Sequence, residues 1–132
     1  MITGLSHITL AVSDVEESLN FYSNTLGLTV HVAWEHGAYL TAGDLWLCLS
    51  KDQPSEKTDY THLAFSVDES HFEPFSEYLS SQGVQTWKHN SSEGQSLYIL
   101  DPDGHKLEIH VGDLQSRLRH LKTDPYKNLR WI

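Results

Sequence analysis

The sequence has a single cysteine, Cys48, so no disulfide can close within the chain, and the composition fits a reducing compartment. No apolar run approaches the roughly 18 residues that a membrane-crossing helix needs. The N-terminus lacks a basic stretch followed by an apolar one, so secretion is not expected and the chain reads as cytoplasmic. Positive charge is scarce as well. Nine Lys and Arg stand against 18 Asp and Glu, a formal net charge of -9. Such a surface repels phosphate backbones, which excludes nucleic acid as a natural partner but not a small anion held by local cations. Histidine, by contrast, is abundant: nine in 132 residues, which directs attention to metal binding and acid–base chemistry.

The chain is long enough for one compact domain over 1–132, and it repeats itself. LSHITLAV at 5–12 and YTHLAFSV at 60–67 read as equivalent strands, placing His7 and His62 in register 55 residues apart (62 − 7). A helix is expected after each. Asp14 caps the first, with Glu17 three residues on, and Val15, Leu19, Tyr22 and Leu26 form its apolar stripe. Ser70 is the expected cap of the second, with Glu73 three residues on and Phe72, Phe75 and Leu79 as the stripe. Gly27 and Gly83 supply the left-handed ends. Short strands follow near 29–34, 38–41 and 45–50, and again near 84–88, 96–101 and 106–111. The expected fold is therefore α+β: tandem βαβββ modules over 4–50 and 60–111, with helices outside and concave mixed sheets left open. Residues 112–132 break the repeat. There Asp113 can cap a short helix carrying Leu114, Leu118 and Leu121, followed by a tail.

Alternation along the strands assigns faces. Ile8, Leu10 and Val12 go to the helix side, as do Leu63, Phe65 and Val67, Leu107, Ile109 and Val111, and Leu45, Leu47 and Leu49. His7, Thr9, Trp46, Cys48, His62, Glu108 and His110 are left on the open faces. Two imidazoles and a carboxylate at repeat-related positions, His7, His62 and Glu108, make a three-ligand site for a divalent cation with positions free for substrate. The donor set alone does not choose among zinc, iron, manganese and nickel. A carboxylate between Leu107 and Ile109 needs pairing or coordination to be tolerated there. The polar run KHNSSEGQSLY at 88–98 reads either as a solvated loop or as an oxygen-rich cage for an ion or a phosphonate. Lys88 and Arg117 are candidates for holding a dianionic group. Trp46, Tyr60 and Tyr98 could wall a pocket, and Cys48 reads as buried structural sulfur.

Several of these segments carry a family resemblance. FYSNTLGL at the end of the first helix and DPDGHKLEIH in the second half resemble the vicinal oxygen chelate superfamily. LSHITLAV, GAYLTAGDLWLCLS, DYTHLAF, NSSEGQS and GDLQSRL resemble, within it, the FosA-type fosfomycin resistance glutathione transferases. The resemblance implies a transferase that opens the epoxide of fosfomycin with glutathione, giving antibiotic resistance, in a homodimer with exchanged modules. It implies manganese on His7, His62 and Glu108, with His7 from one chain and the other two from its partner. It implies a catalytically important Thr9 at the phosphonate, and phosphonate contacts from Lys88, Ser92, Tyr98 and Arg117. Trp46 and Tyr60 would shape the pocket, and Tyr39 would lie in the glutathione channel. Potassium would bind at Asn90, Ser92, Glu93, Gly94 and Ser96. Two positions depart from the family pattern: His36 stands in place of glutamine and Ser91 in place of arginine, both around the thiol channel. Gly37 stands where the related hydrolases carry a glutamate base. The alternatives to this activity are a ring-cleaving dioxygenase or glyoxalase-type isomerase on the same fold, or a drug-sequestering dimer without metal.

Overall fold

In each half of the chain a strand, a helix and three further strands follow one another, and the physical cause is the periodicity just described. The computed structural model describes residues 1–91 and 93–132. Its first half contains β1 (His7–Val12), α1 (Val15–Asn20), β2 (Thr29–Trp34), β3 (Gly37–Ala42) and β4 (Leu45–Lys51). Its second half contains β5 (Leu63–Ser66), α2 (Glu69–Ser81), β6 (Thr86–Lys88), β7 (Ser96–Leu100) and β8 (Lys106–His110), and α3 (Leu114–Leu121) follows. The two sheets have the same order, β1-β4-β3-β2 and β5-β8-β7-β6, with the first pair parallel and the others antiparallel. Among the described residues no helix is long and apolar enough to cross a membrane.

Asp14 caps α1 as expected, accepting from the Glu17 N–H at 3.0 Å. The helix then widens into a π-helical turn at Phe21–Thr25, which buries both Phe21 and Tyr22 where regular spacing selects Tyr22 alone. The cap of α2 differs from expectation. Asp68 is the N-cap, with extended backbone (φ -69°, ψ 145°), and its carbonyl accepts from His71 N–H at 3.0 Å, so Ser70 lies inside the first turn. Asp68 makes no side-chain cap bond, so nothing in the local side-chain pattern marked it. At α3 the reciprocal capping box is complete between Asp113 and Ser116.

The helix-side faces meet in one core, with Val12, Tyr22, Leu40, Leu47, Ile99 and Leu107 fully buried. A polar brace joins the two modules beside it. Tyr22 Oη donates to Asp101 Oδ2 at 2.7 Å, and Asp101 Oδ1 accepts from the backbone N–H of Asp103 and His105. His105 Nε2 donates to the Ala11 carbonyl at 2.7 Å, and Asp103 accepts from the backbone and hydroxyl of Ser13. The turn before β8 is thereby fixed to the end of β1, the two strands that carry Glu108 and His7.

Each module has one break in its edge pairing. The register shifts between Val30 and Val32 in β2 and between Thr86 and Lys88 in β6. The extra residues, His31 and Trp87, are 56 apart (87 − 31), the same spacing as Gly27 and Gly83 (83 − 27). The bulge is therefore part of the repeat, and it re-aims side chains at the sheet edge.

Candidate metal centre and active site

Cross-strand pairing places the open-face residues of the second sheet in two rows. Lys88, Tyr98, Glu108 and Ala64 form one, and Ser96, His110 and Ser66 the next. Glu108 is 8% exposed, and its two oxygens are used differently. Oε1 accepts from Ser96 Oγ at 2.7 Å, and Ser96 Oγ in turn lies 2.6 Å from His110 Nδ1. Oε2 lies 3.0 Å from His62 Nε2. Burial pushes the Glu108 carboxyl up, but the bond from Ser96 and the close His62 and His110 rings outweigh it and hold the group below the usual carboxylate range.

The tautomer of His62 follows from its other contact. A carbonyl oxygen only accepts, so the 2.7 Å approach to the Tyr60 carbonyl assigns a hydrogen to Nδ1. In the neutral ring Nε2 then points a lone pair toward a carboxylate oxygen. Two acceptors 3.0 Å apart require a shared cation, either a proton or a metal ion that both ligate. Both donors are oriented from behind, His62 by the Tyr60 carbonyl and Glu108 by Ser96. A neutral imidazole and a carboxylate so held fit a divalent first-row ion.

Within one chain the set stops at two donors. Among the described residues no three His, Cys, Asp or Glu side chains gather into a metal-holding group. His7 projects from the first sheet, where its Nδ1 is 3.0 Å from Ser6 Oγ and its ring packs on Trp46 at 4.5 Å. Thr9, Cys48 and Tyr39 pair across the strands beside it. The equivalent pairing in the second sheet is Ala64, Glu108 and Tyr98, so Cys48 fills in the first module the place that Glu108 fills in the second. Trp34, Tyr39, Trp46 and Tyr60 are each more than a third exposed on the chain, with edge-on contacts of 4.9 Å between Trp34 and Tyr39 and 5.2 Å between Tyr39 and Trp46.

A profile of the glyoxalase/bleomycin resistance protein/dioxygenase superfamily matches residues 4–109. The chain belongs to this superfamily. The glutathione transferase FosA of Serratia marcescens is 53% identical, the match covering 98% of this chain and 95% of that one. The metallothiol transferase FosB of Staphylococcus saprophyticus is 36% identical, over 94% and 87%. Among solved structures, the fosfomycin resistance protein FosX of Listeria monocytogenes, complexed with Mn(II) and sulfate ion, superposes with a TM-score of 0.83 at 29% identity, covering 91% of this chain and 98% of that one.

Of the other expected site residues, Lys88 is hydrogen-bonded to the Tyr60 hydroxyl, and its ammonium lies 4.7 Å from the ring centres of both Tyr60 and Tyr98. Each Arg117 nitrogen bonds Glu93 or Tyr126: Nε donates to Glu93 Oε2 at 3.2 Å, Nη2 to the Glu93 carbonyl at 3.2 Å and Nη1 to Tyr126 Oη at 3.1 Å. Asn90 Nδ2 donates to the Gly94 carbonyl at 2.8 Å. Gly94 has φ +80°, and a Cβ there would lie 2.9 Å from the Val111 carbonyl. The Ser96 hydroxyl bonds Glu108 Oε1 at 2.7 Å. Ser92 lies outside the described residues. Gly37 is closely covered: a Cβ would meet the Leu49 carbonyl and the Trp34 ring, each at 2.6 Å.

Sequence reasoning missed one contributor, Trp87, and the part that Ser96 plays at Glu108. Ser96 is the hydrogen-bond donor that keeps Glu108 ionised, and Trp87 stands among Tyr60, His62 and Tyr98. Simple alternation sends Trp87 away from Lys88. The signal that could have found it is the 56-residue spacing from His31, which marks the repeated bulge.

Proposed function

We propose that the chain is a metal-dependent glutathione S-transferase that opens the epoxide of fosfomycin, with Mn(II) held between two copies by His7 of one and His62 and Glu108 of the other. The observation that carries this reading is the His62–Glu108 pair, two oriented acceptors 3.0 Å apart in a chain that is 53% identical to a glutathione transferase. His7 is the missing third donor. The exposed aromatic face around it gives a second copy something to cover.

When bound there, the ion supplies Lewis-acid stabilisation of the negative charge that develops on the epoxide oxygen. The chain's own residues do the rest. Lys88, Arg117 and a potassium ion at Asn90, Ser92, Glu93, Gly94 and Ser96 offset the phosphonate charge that would repel a thiolate. Ser92 and Tyr98 add contacts to the phosphonate oxygens. Thr9 orients the phosphonate, which lines the ring carbon up with the sulfur. Trp46 and Tyr60 wall the pocket, and Tyr39 borders the path of glutathione. The sulfur–carbon bond forms as the carbon–oxygen bond breaks, and the oxygen takes a proton from solvent. Gly37 leaves no side chain to activate water, which favours transfer over hydrolysis. With glutathione as co-substrate and a free buried Cys48, the cytoplasm is the working compartment.

The test is a mass measurement. Fosfomycin incubated with protein, Mn(II) and glutathione gives the covalent adduct, and E108Q or H62A abolishes both the adduct and Mn(II) binding. Folded, metal-loaded wild type that yields no adduct overturns the proposal.

A further inference from the structure

His62 is held without help from a strand. β5 begins at Leu63, and the ladder pairing with β8 starts there too. The backbone just before it forms a turn, with Asp59 accepting from Thr61 N–H at 3.0 Å. What surrounds the His62 ring is aromatic: Tyr60 at 4.9 Å, Trp87 at 5.5 Å and Tyr98 at 6.1 Å between ring centres.

Trp87 connects these groups. Its ring also meets Tyr60 at 5.8 Å and Tyr98 at 5.2 Å. Its indole N–H donates to the Leu107 carbonyl at 3.0 Å, one residue before Glu108. The Lys106 ammonium lies 5.0 Å over the same ring and donates to the Asp59 carbonyl at 2.7 Å, which ties down the segment leading to His62. The bulge explains how it gets there. Thr86 pairs with Ile99 on the core side and Lys88 with Tyr98 on the open side, so the unpaired Trp87 shares the open side with Lys88.

We propose that Trp87 is a positioning residue, which holds the His62 imidazole against Glu108 and sets Lys88 beside Tyr60 and Tyr98. Its role in the reaction rests on the transferase reading above, but its hold on His62 does not. A buttress on a ligating imidazole acts on the ligand's orientation, and removing such supports lowers metal affinity about 10–100-fold. The indole supplies two separable parts, a ring face and an N–H.

The experiment uses the full chain as wild type, W87F and W87A. Imidazole proton–nitrogen correlation spectra of the metal-free protein report the His62 tautomer. Electron paramagnetic resonance titration reports Mn(II) affinity, and initial rates separate kcat from KM. In wild type His62 shows a single ring state with a hydrogen fixed on Nδ1. W87A is expected to populate more than one ring state, lose about tenfold or more in Mn(II) affinity and raise KM for fosfomycin as Lys88 drifts. W87F, which keeps a ring but no donor, is expected to fall between. Unchanged His62 signals, with Mn(II) affinity within about twofold of wild type in folded W87A, overturn the proposal. If W87A does not fold, the same unchanged result in W87F overturns it. If wild type makes no adduct, the transferase reading fails while the His62 spectra still decide the role of Trp87.

Discussion

Replacing Tyr22 with phenylalanine tests whether the inter-module brace is a source of stability. Tyr22 is fully buried, and its hydroxyl donates to Oδ2 of Asp101, which is 5% exposed. The two backbone donors to Asp101, Asp103 N–H and His105 N–H, both serve Oδ1. Y22F therefore leaves one oxygen of a buried carboxylate without its donor. An unsatisfied buried group costs about 1–3 kcal/mol, with charged groups at the upper end, so a loss of about 2–3 kcal/mol is expected. At this chain length that lowers Tm by about 8–12 °C. Burial raises the Asp101 pKa, and the Tyr22 bond opposes that rise. Y22F thus raises the pKa further, so its folded state holds the proton more tightly than wild type does. Relative to wild type the variant must lose stability as pH rises through the Asp101 transition. The cost of Y22F is then smallest in acid and full near neutral pH. Urea unfolding followed by circular dichroism, at one protein concentration, measures it. In a D101N background, where no charge is stranded, Y22F should cost only about 1 kcal/mol. Equal costs in both backgrounds, or a cost independent of pH, would refute the reasoning.

Three further outcomes are expected. R117K keeps the charge but cannot reproduce bonds from three nitrogens to Glu93 and Tyr126, so initial-rate kinetics should show KM for fosfomycin raised about tenfold with little change in fold. G94A puts a Cβ 2.9 Å from the Val111 carbonyl at a φ of +80°, and urea unfolding should show a loss of about 1–3 kcal/mol. C48A should keep adduct formation by mass measurement, because Cys48 is buried, paired across the strands with Thr9 and Tyr39, and has no step in the chemistry.

The parts of the site that lie on regular strands could be read directly. Glu108 and Tyr98 share an open face because side chains alternate, and the structure places them as a cross-strand pair. Alternation also placed His62 on the open face, although it sits just before β5 and not in it. It failed at Trp87, the extra residue of a bulge, where a period of two no longer holds. The cap of α2 failed for a related reason: Ser70 and Glu73 satisfy a capping pattern, while the chain turns at Asp68 by backbone alone. The hydroxyl of Ser96, which the resemblance places at the potassium site, also bonds Glu108, a diagonal contact that alternation along one strand does not reveal.

By itself the sequence determined the duplicated module, its helix-side core and the scarcity of cationic surface, because periodicity, glycine position and charge are properties of the chain taken in order. Only the tertiary structure decided which donors meet. His62 and Glu108 are 46 residues apart and Tyr22 and Asp101 are 79 apart. The approach of such pairs to hydrogen-bond distance depends on how two sheets and their edges pack, where burial of one apolar core outweighs local preference.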